Sequence, residues 1–194
     1  MTDQLSLALW LTRHSRQNRL RHFEQLLKLF PFSQREQPQS TVSIHAVDST
    51  QPPLLEQAVN GPIDPEALAP IFRDYQGDDT AYRVESWWDL WRLDEDDSKL
   101  APTRVILSCL GPEFDDGAAA NQEDLRIDFG VDTNFLPQPD LPGNARFIES
   151  NIKSLLRLVH EIESTLPIER RKLETETGAN FADRLQEVLK SAAH

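Results

Sequence analysis

Leu5, Leu7, Leu9 and Leu11 alternate with Ser6, Ala8, Trp10 and Thr12. That period of two makes one fully apolar face, so residues 5–12 read as a strand. Leu20, Phe23, Leu26, Leu27 and Phe30 then recur at helical spacing behind Ser15, a capping residue, and stop at Pro31, which predicts a helix over 16–30. Val42, Ile44 and Ala46 alternate with Ser43 and His45 in a second strand over 41–47, whereas 54–59 fits a short strand or a helical turn equally well. Asp64 ahead of Pro65 caps a short helix over 65–75, which Pro70 keeps short.

The segment 80–93 reads as a long strand, with Tyr82, Val84, Trp88 and Leu90 on one face and Arg83, Glu85, Trp87, Asp89 and Trp91 on the other. An acidic link over 94–99 leads to an apolar strand over 104–110. Leu125, Ile127, Phe129 and Val131 then alternate strictly with Arg126, Asp128, Gly130 and Asp132. A Pro-rich link over 133–144 precedes an amphipathic helix over 145–165, carried by Ile148, Ile152, Leu155, Leu156, Val159 and Ile162. Residues 167–178 read as a helical turn, and a last helix starts near Asn180. Three strands in succession favour hairpin pairing. The expected fold is therefore α+β: one domain over 1–194 with a largely antiparallel sheet of five strands, six if 54–59 is one, and helices on one face. Its strand-rich part is 1–132, and the helical tail, 145–192, packs on the sheet.

Composition narrows the chemistry. The chain has 194 residues, a single Cys and a net charge of −12. One Cys excludes a disulfide framework and a single-chain thiolate zinc site. No apolar window is long enough to span a membrane, and the N-terminal run lacks a basic leader, so a soluble cytoplasmic protein is expected. Residues 74–132 hold five basic and sixteen acidic side chains, while residues 1–73 hold seven of each. The acidic total disfavours nucleic acid and anionic membranes as partners.

Two places remain for function. Trp87 and Trp91 share the charged face of the long strand and are followed by Asp94, Glu95, Asp96 and Asp97, an aromatic and acidic surface suited to a basic protein partner. In composition this profile is similar to that of toxin-neutralising immunity proteins and nucleic-acid mimics. At the other place, Arg13, His14 and Arg16 lie between first strand and first helix, where a helix N-terminus favours a phosphate or carboxylate. The run Leu11-Thr12-Arg13-His14-Ser15 resembles the strand and Arg-His-Gly motif that opens histidine phosphatases. The resemblance implies a phosphorylated His14 and a phosphate-binding Arg13. It covers five residues, Ser15 stands in place of the Gly, and neither His45 in mid-strand nor His160 in mid-helix supplies the second His. Otherwise these Arg side chains form a solvated helix face.

Other chemistry is not encoded. Counting an EF-hand from Asp94 puts Lys99 at the glycine position and Val105 at the bidentate one. Asp128 and Asp132, four apart on a strand, would lie about 13 Å apart, too far to share a proton. Cys109 sits in an apolar strand as an inert thiol. No Walker loop, dinucleotide fingerprint, nucleophile elbow or zinc helix occurs. The sequence thus predicts no metal, no cofactor and no catalytic residue. It favours a non-enzymatic binding protein, with a self-associating subunit or a protein acting on an anionic ligand as alternatives.

Overall fold

A computed structural model describes residues 3–35, 38–94, 97–117, 122–136 and 145–192. Its strands are β1 (Gln4–Leu11), β2 (Ser40–Ala46), β3 (Leu55–Val59), β4 (Thr80–Asp94), β5 (Asp97–Leu110), β6 (Leu125–Val131) and β7 (Ile168–Thr175), and its helices are α1 (Arg19–Leu29), α2 (Pro65–Arg73), α3 (Ala145–Thr165) and α4 (Phe181–Ala192). The chain is α+β, with a single sheet in the order β3-β2-β4-β5-β6-β1-β7, every pair antiparallel. Seven strands replace the five or six expected.

Each added strand has a local reason. Residues 55–59 pair with β2 as an edge strand too short for its alternation to stand out. The segment 167–178 is not a helical turn. In β7, Leu9 faces Arg171 and Trp10 faces Arg170, but Leu11 faces Ile168, so Glu169 is bulged out. The bulge lets Ile168 and Leu173, five residues apart, both lean on the core, and an odd spacing hides a period of two. The acidic link over 94–99 is the end of a β hairpin, with Asp94 opposite Asp97, so β5 starts at 97 rather than 104. Pro102 is tolerated there because β6 pairs only with Ile106–Cys109, leaving the rest of β5 at an edge. The link over 137–144 lies outside the described residues.

The alternating apolar positions meet on one face. Leu5, Leu7 and Leu9 of β1, Val84 and Trp88 of β4, Leu107 of β5 and Ile127 and Phe129 of β6 are all at most 4 % exposed, and they form one core with Phe23 and Leu26 of α1, Phe72 of α2, Leu155 and Ile162 of α3 and Phe181 of α4. Burying each such side chain stabilises the fold by about 1.5–3 kcal/mol. All four helices thus pack on the same side, α3 and α4 of the tail included.

Two buried polar devices complete the packing. Asn151 of α3 accepts a hydrogen bond from Trp91 N at 2.9 Å and donates to Trp91 O at 2.9 Å and Asn134 O at 2.8 Å, so its amide stands in for a neighbouring strand beside β4. Arg184 of α4 lies 3.1 Å from Asp3 Oδ2 and 2.9 Å from Asp132 Oδ2, tying α4 to the start of β1 and the turn after β6. Asp3 also accepts from Thr177 Oγ1 at 2.6 Å, and that bond leads in holding its carboxyl down at about 2.

Candidate functional site

The face opposite the helices carries the other half of each alternation. Strand pairing sets Arg83 of β4, Ser108 of β5, Arg126 of β6, Ala8 of β1 and Lys172 of β7 side by side in one row. Two residues along each strand, Glu85, Ile106, Asp128, Ser6 and Glu174 form the next row. A basic row therefore lies against an acidic one. Arg126 binds Asp128 at 2.8 Å and Glu123 at 3.1 Å, Lys172 binds Glu174, and Arg104 grips Glu85 with Nε at 2.6 Å and Nη2 at 2.5 Å. The Arg104 hydrogen bonds hold the Glu85 carboxyl below the usual range. Asp89 is taken up by Ser33 at 2.7 Å and by Arg35 at 3.6 Å. Glu85, Asp89, Asp128 and Glu174 are thus neutralised where they stand.

Trp87 lies beyond the acidic row, opposite Arg104. It walls a hollow of about 320 Å³ with Arg92, Pro102, Ile106, Gly130 and Asn134. Gly130 has φ 80°, a conformation that favours glycine, and its missing side chain keeps that wall low; a Cβ there would only touch Arg104 O at 3.5 Å. The indole Nε1–H of Trp87 is buried and has no acceptor among the described residues. Arg92 is exposed and forms no ion pair among the described residues. Trp91 does not form an open pair with Trp87. Its ring packs on Phe147 of α3 at 4.7 Å, because the start of α3 covers the edge of β4 there through Asn151. Glu95 and Asp96 lie outside the described residues, as do the side chains of Asp94 and Asp97.

The corner after β1 is built differently from the expectation. α1 begins at Arg19, not near 16, because Asn18 turns its side chain back, accepting from Ser15 N at 2.8 Å and donating to Arg13 O at 2.7 Å. Arg13, at φ 59°, and Arg16 are exposed in this turn, ahead of the helix. Only Arg19 goes inward. It is fully buried and donates to Thr80 O at 3.1 Å, Thr80 Oγ1 at 2.5 Å and Tyr82 Oη at 2.9 Å, with its guanidinium 4.6 Å from the Tyr82 ring centre. His14 stacks on His22, with their Nδ1 atoms 3.4 Å apart. Burial, with Arg19 next in weight, pushes the His14 imidazole down to about 4, and burial lowers His22 as well. The structure therefore separates Arg13 and Arg16 from His14. The antiparallel sheet also departs from the parallel one that the histidine-phosphatase resemblance implies.

The carboxylates Asp128 and Asp132 part company too. β6 ends at Val131, and Asp132 opens a 3-10 turn in which it is fully buried, accepting from Asp3 N at 3.1 Å. Cys109 is completely buried and its thiol is pushed up to about 12 by that burial. No group of three His, Cys, Asp or Glu that could hold a metal occurs among the described residues. No described helix is long and apolar enough to cross a membrane.

Sequence reasoning reached Trp87 but missed Arg92 and Gly130, its companions in the hollow. The only signal was a lone Gly inside an otherwise strict alternation, a mark of irregular or closely approached backbone. Neither a family model, nor a curated protein, nor a solved structure matches this chain, so its geometry alone carries a reading of its function.

Proposed function

We propose that this chain is a binding protein without catalysis of its own, and that the uncovered sheet face around Trp87 docks a partner protein. One observation carries the reading. A large aromatic side chain, Trp87, lines an open hollow on a polar face. Tryptophan in a hollow ringed by polar groups is also the composition of an interface anchor.

The expected basic partner draws less support than the docking surface itself. Glu85, Asp89 and Asp128 already have arginine partners. Attraction for a basic protein thus falls to the sequence Asp94-Glu95-Asp96-Asp97 at the hairpin end. The test is capture of binding proteins from a lysate by wild type, by Trp87→Ala and by a variant with Asn or Gln at those four acidic positions, with urea denaturation to verify folding. The expected outcome is loss of capture by Trp87→Ala with stability retained. Equal capture by wild type and Trp87→Ala refutes docking at this face. Light scattering on the same proteins tells a second copy of the chain from a different partner.

A further inference from the structure

We infer that the partner docking on this face is a second copy of the chain, packed sheet against sheet about a two-fold axis that runs between the basic and the acidic row. The inference rests on the docking reading above and names the occupant. Both rows carry their charges on the same strands. Arg83, Arg126 and Lys172 make the basic row on β4, β6 and β7, and Glu85, Asp128 and Glu174 make the acidic row on those three strands, two residues away. The strands between them, β5 and β1, are uncharged in both rows. Consider a half-turn about an axis in the plane of the face, lying between the rows and across the strands. It sets each strand over its own copy and exchanges the rows. Arg83 of one protomer then faces Glu85 of the second copy, Arg126 faces Asp128 and Lys172 faces Glu174, and each contact occurs twice. That reciprocity is the isologous pattern of a two-fold dimer.

The stripes select a second copy over a partner of single sign. A basic protein laid on this face meets the basic row as well as the carboxylates, and an acidic one meets the reverse; a second copy is complementary at both rows. The pairs within the chain leave this pattern in place. Arg83 has no ion pair among the described residues. Arg126 holds Asp128 through Oδ1 alone, and a carboxylate offers about four lone-pair sites. Packed sheets lie about 10 Å apart, a gap that an arginine or lysine and an opposing carboxylate side chain span together. The area also suffices. From the row of Trp10 to the row of Trp87, five strands about 4.8 Å apart and four rows about 6.6 Å apart cover about 600 Å² on each copy. Two copies thus bury about 1,200 Å², the lower limit of a specific interface. Trp87 stands in the outermost of these rows, so the aromatic anchor lies inside the same contact.

The experiment follows the mass of the intact protein by analytical ultracentrifugation from micromolar to several hundred micromolar. Wild type should pass from one chain mass towards two, and the midpoint should move to higher concentration between about 0.05 and 0.5 M salt, as screened charges attract less. Two variants make the face single-signed: Arg83→Glu with Lys172→Glu, and Glu85→Lys with Glu174→Lys, with urea denaturation confirming that each folds. Each alone should dimerise about tenfold more weakly or worse, because like rows now oppose. Mixed in equal amounts they should associate again, as an acidic face meets a basic one. Damage to the fold would not produce that recovery. A dimer indifferent to salt, a dimer that neither variant weakens, or two folded variants that fail to associate when mixed overturns the face-to-face pairing. A wild type that stays monomeric throughout overturns the second copy, and docking of a different protein at this face then stands only if Trp87→Ala loses capture from the lysate. If capture is also unchanged, the docking reading falls with it.

Discussion

Asn151→Leu tests whether a side chain can replace a strand. The substitution keeps the branched four-atom skeleton and removes every polar side-chain atom, so Trp91 N, Trp91 O and Asn134 O lose the partners that Asn151 supplies at 2.8–2.9 Å. Asn151 is 2 % exposed, so water does not reach that amide in the folded protein. Three hydrogen bonds at about 1 kcal/mol each set a loss near 3 kcal/mol, and partial rehydration around the half-buried Trp91 reduces it to about 2–3 kcal/mol. For a chain of this length that corresponds to a fall in Tm of roughly 4–12 °C. Urea denaturation gives the free energy. Hydrogen exchange at the Trp91 amide gives the mechanism, because that amide should change from slow to fast while those of β1 stay slow. Asn151→Asp sharpens the test. A buried aspartate accepts from Trp91 N and cannot donate, and burial raises its folded pKa above the unfolded value. Protonation restores a donor, so this variant should regain stability as pH falls through the raised folded pKa towards the unfolded one. A loss under about 0.5 kcal/mol in Asn151→Leu, with the Trp91 amide still protected, would refute the reasoning.

Other outcomes follow from the same geometry. His14 is neutral in the folded protein down to about 4, so the unfolded chain takes up its proton first and stability should fall as pH drops from about 6.5 towards 4. The shift sets a ceiling of roughly 3 kcal/mol, which solvent screening at this partly open ring reduces to about 1–2 kcal/mol; His14→Gln should flatten the profile measured by urea denaturation across that window, and an unchanged slope would count against it. Burial raises Asp124, which opposes this trend near the acid end of the window. Gly111→Ala places a methyl 2.2 Å from Asp78 O and 2.5 Å from Arg19 Nη1, so the loop or the Arg19 cradle must shift, costing about 1–3 kcal/mol in chemical denaturation. Arg184→Met removes the cation shared by Asp3 and Asp132, and should expose the linker before α4 to limited proteolysis at native pH while the wild type resists.

The buried face of this sheet was legible because Leu5 to Leu11 and Leu125 to Phe129 alternate without a break, and Leu5, Leu7, Leu9, Leu11, Leu125, Ile127 and Phe129 all join the core. β7 was not, since one bulged residue, Glu169, shifts Ile168 to an odd distance from Leu173. The acidic stretch over 94–99 reads as a loop when only hydrophobicity is weighed, yet it is held in register by backbone bonds to its own hairpin partner. At the candidate site, strand parity put Trp87 on the charged face. It put Trp91 there as well, and could not foresee that Asn151, sixty residues on, would bring α3 over that end of β4. Arg19 looks like its exposed neighbours Arg16 and Arg21 in sequence; only the arrival of Thr80 and Tyr82 gives its guanidinium a buried set of acceptors.

The position of β1 between β6 and β7 has a consequence for how the chain is born. Leu7 pairs with Ile127 on one side and with Leu173 on the other, so as the chain is made one edge of β1 waits for β6 and the other waits longer still for β7. Pairings this distant are slow to close, and an apolar strand waiting for them is a natural client for a chaperone. The hairpin of β4 and β5 needs no such delay, and it can assemble while the C-terminal half is still in translation. Moving β1 to the C-terminus by circular permutation would let it enter a groove already formed between β6 and β7, and refolding should then be faster with the same native sheet.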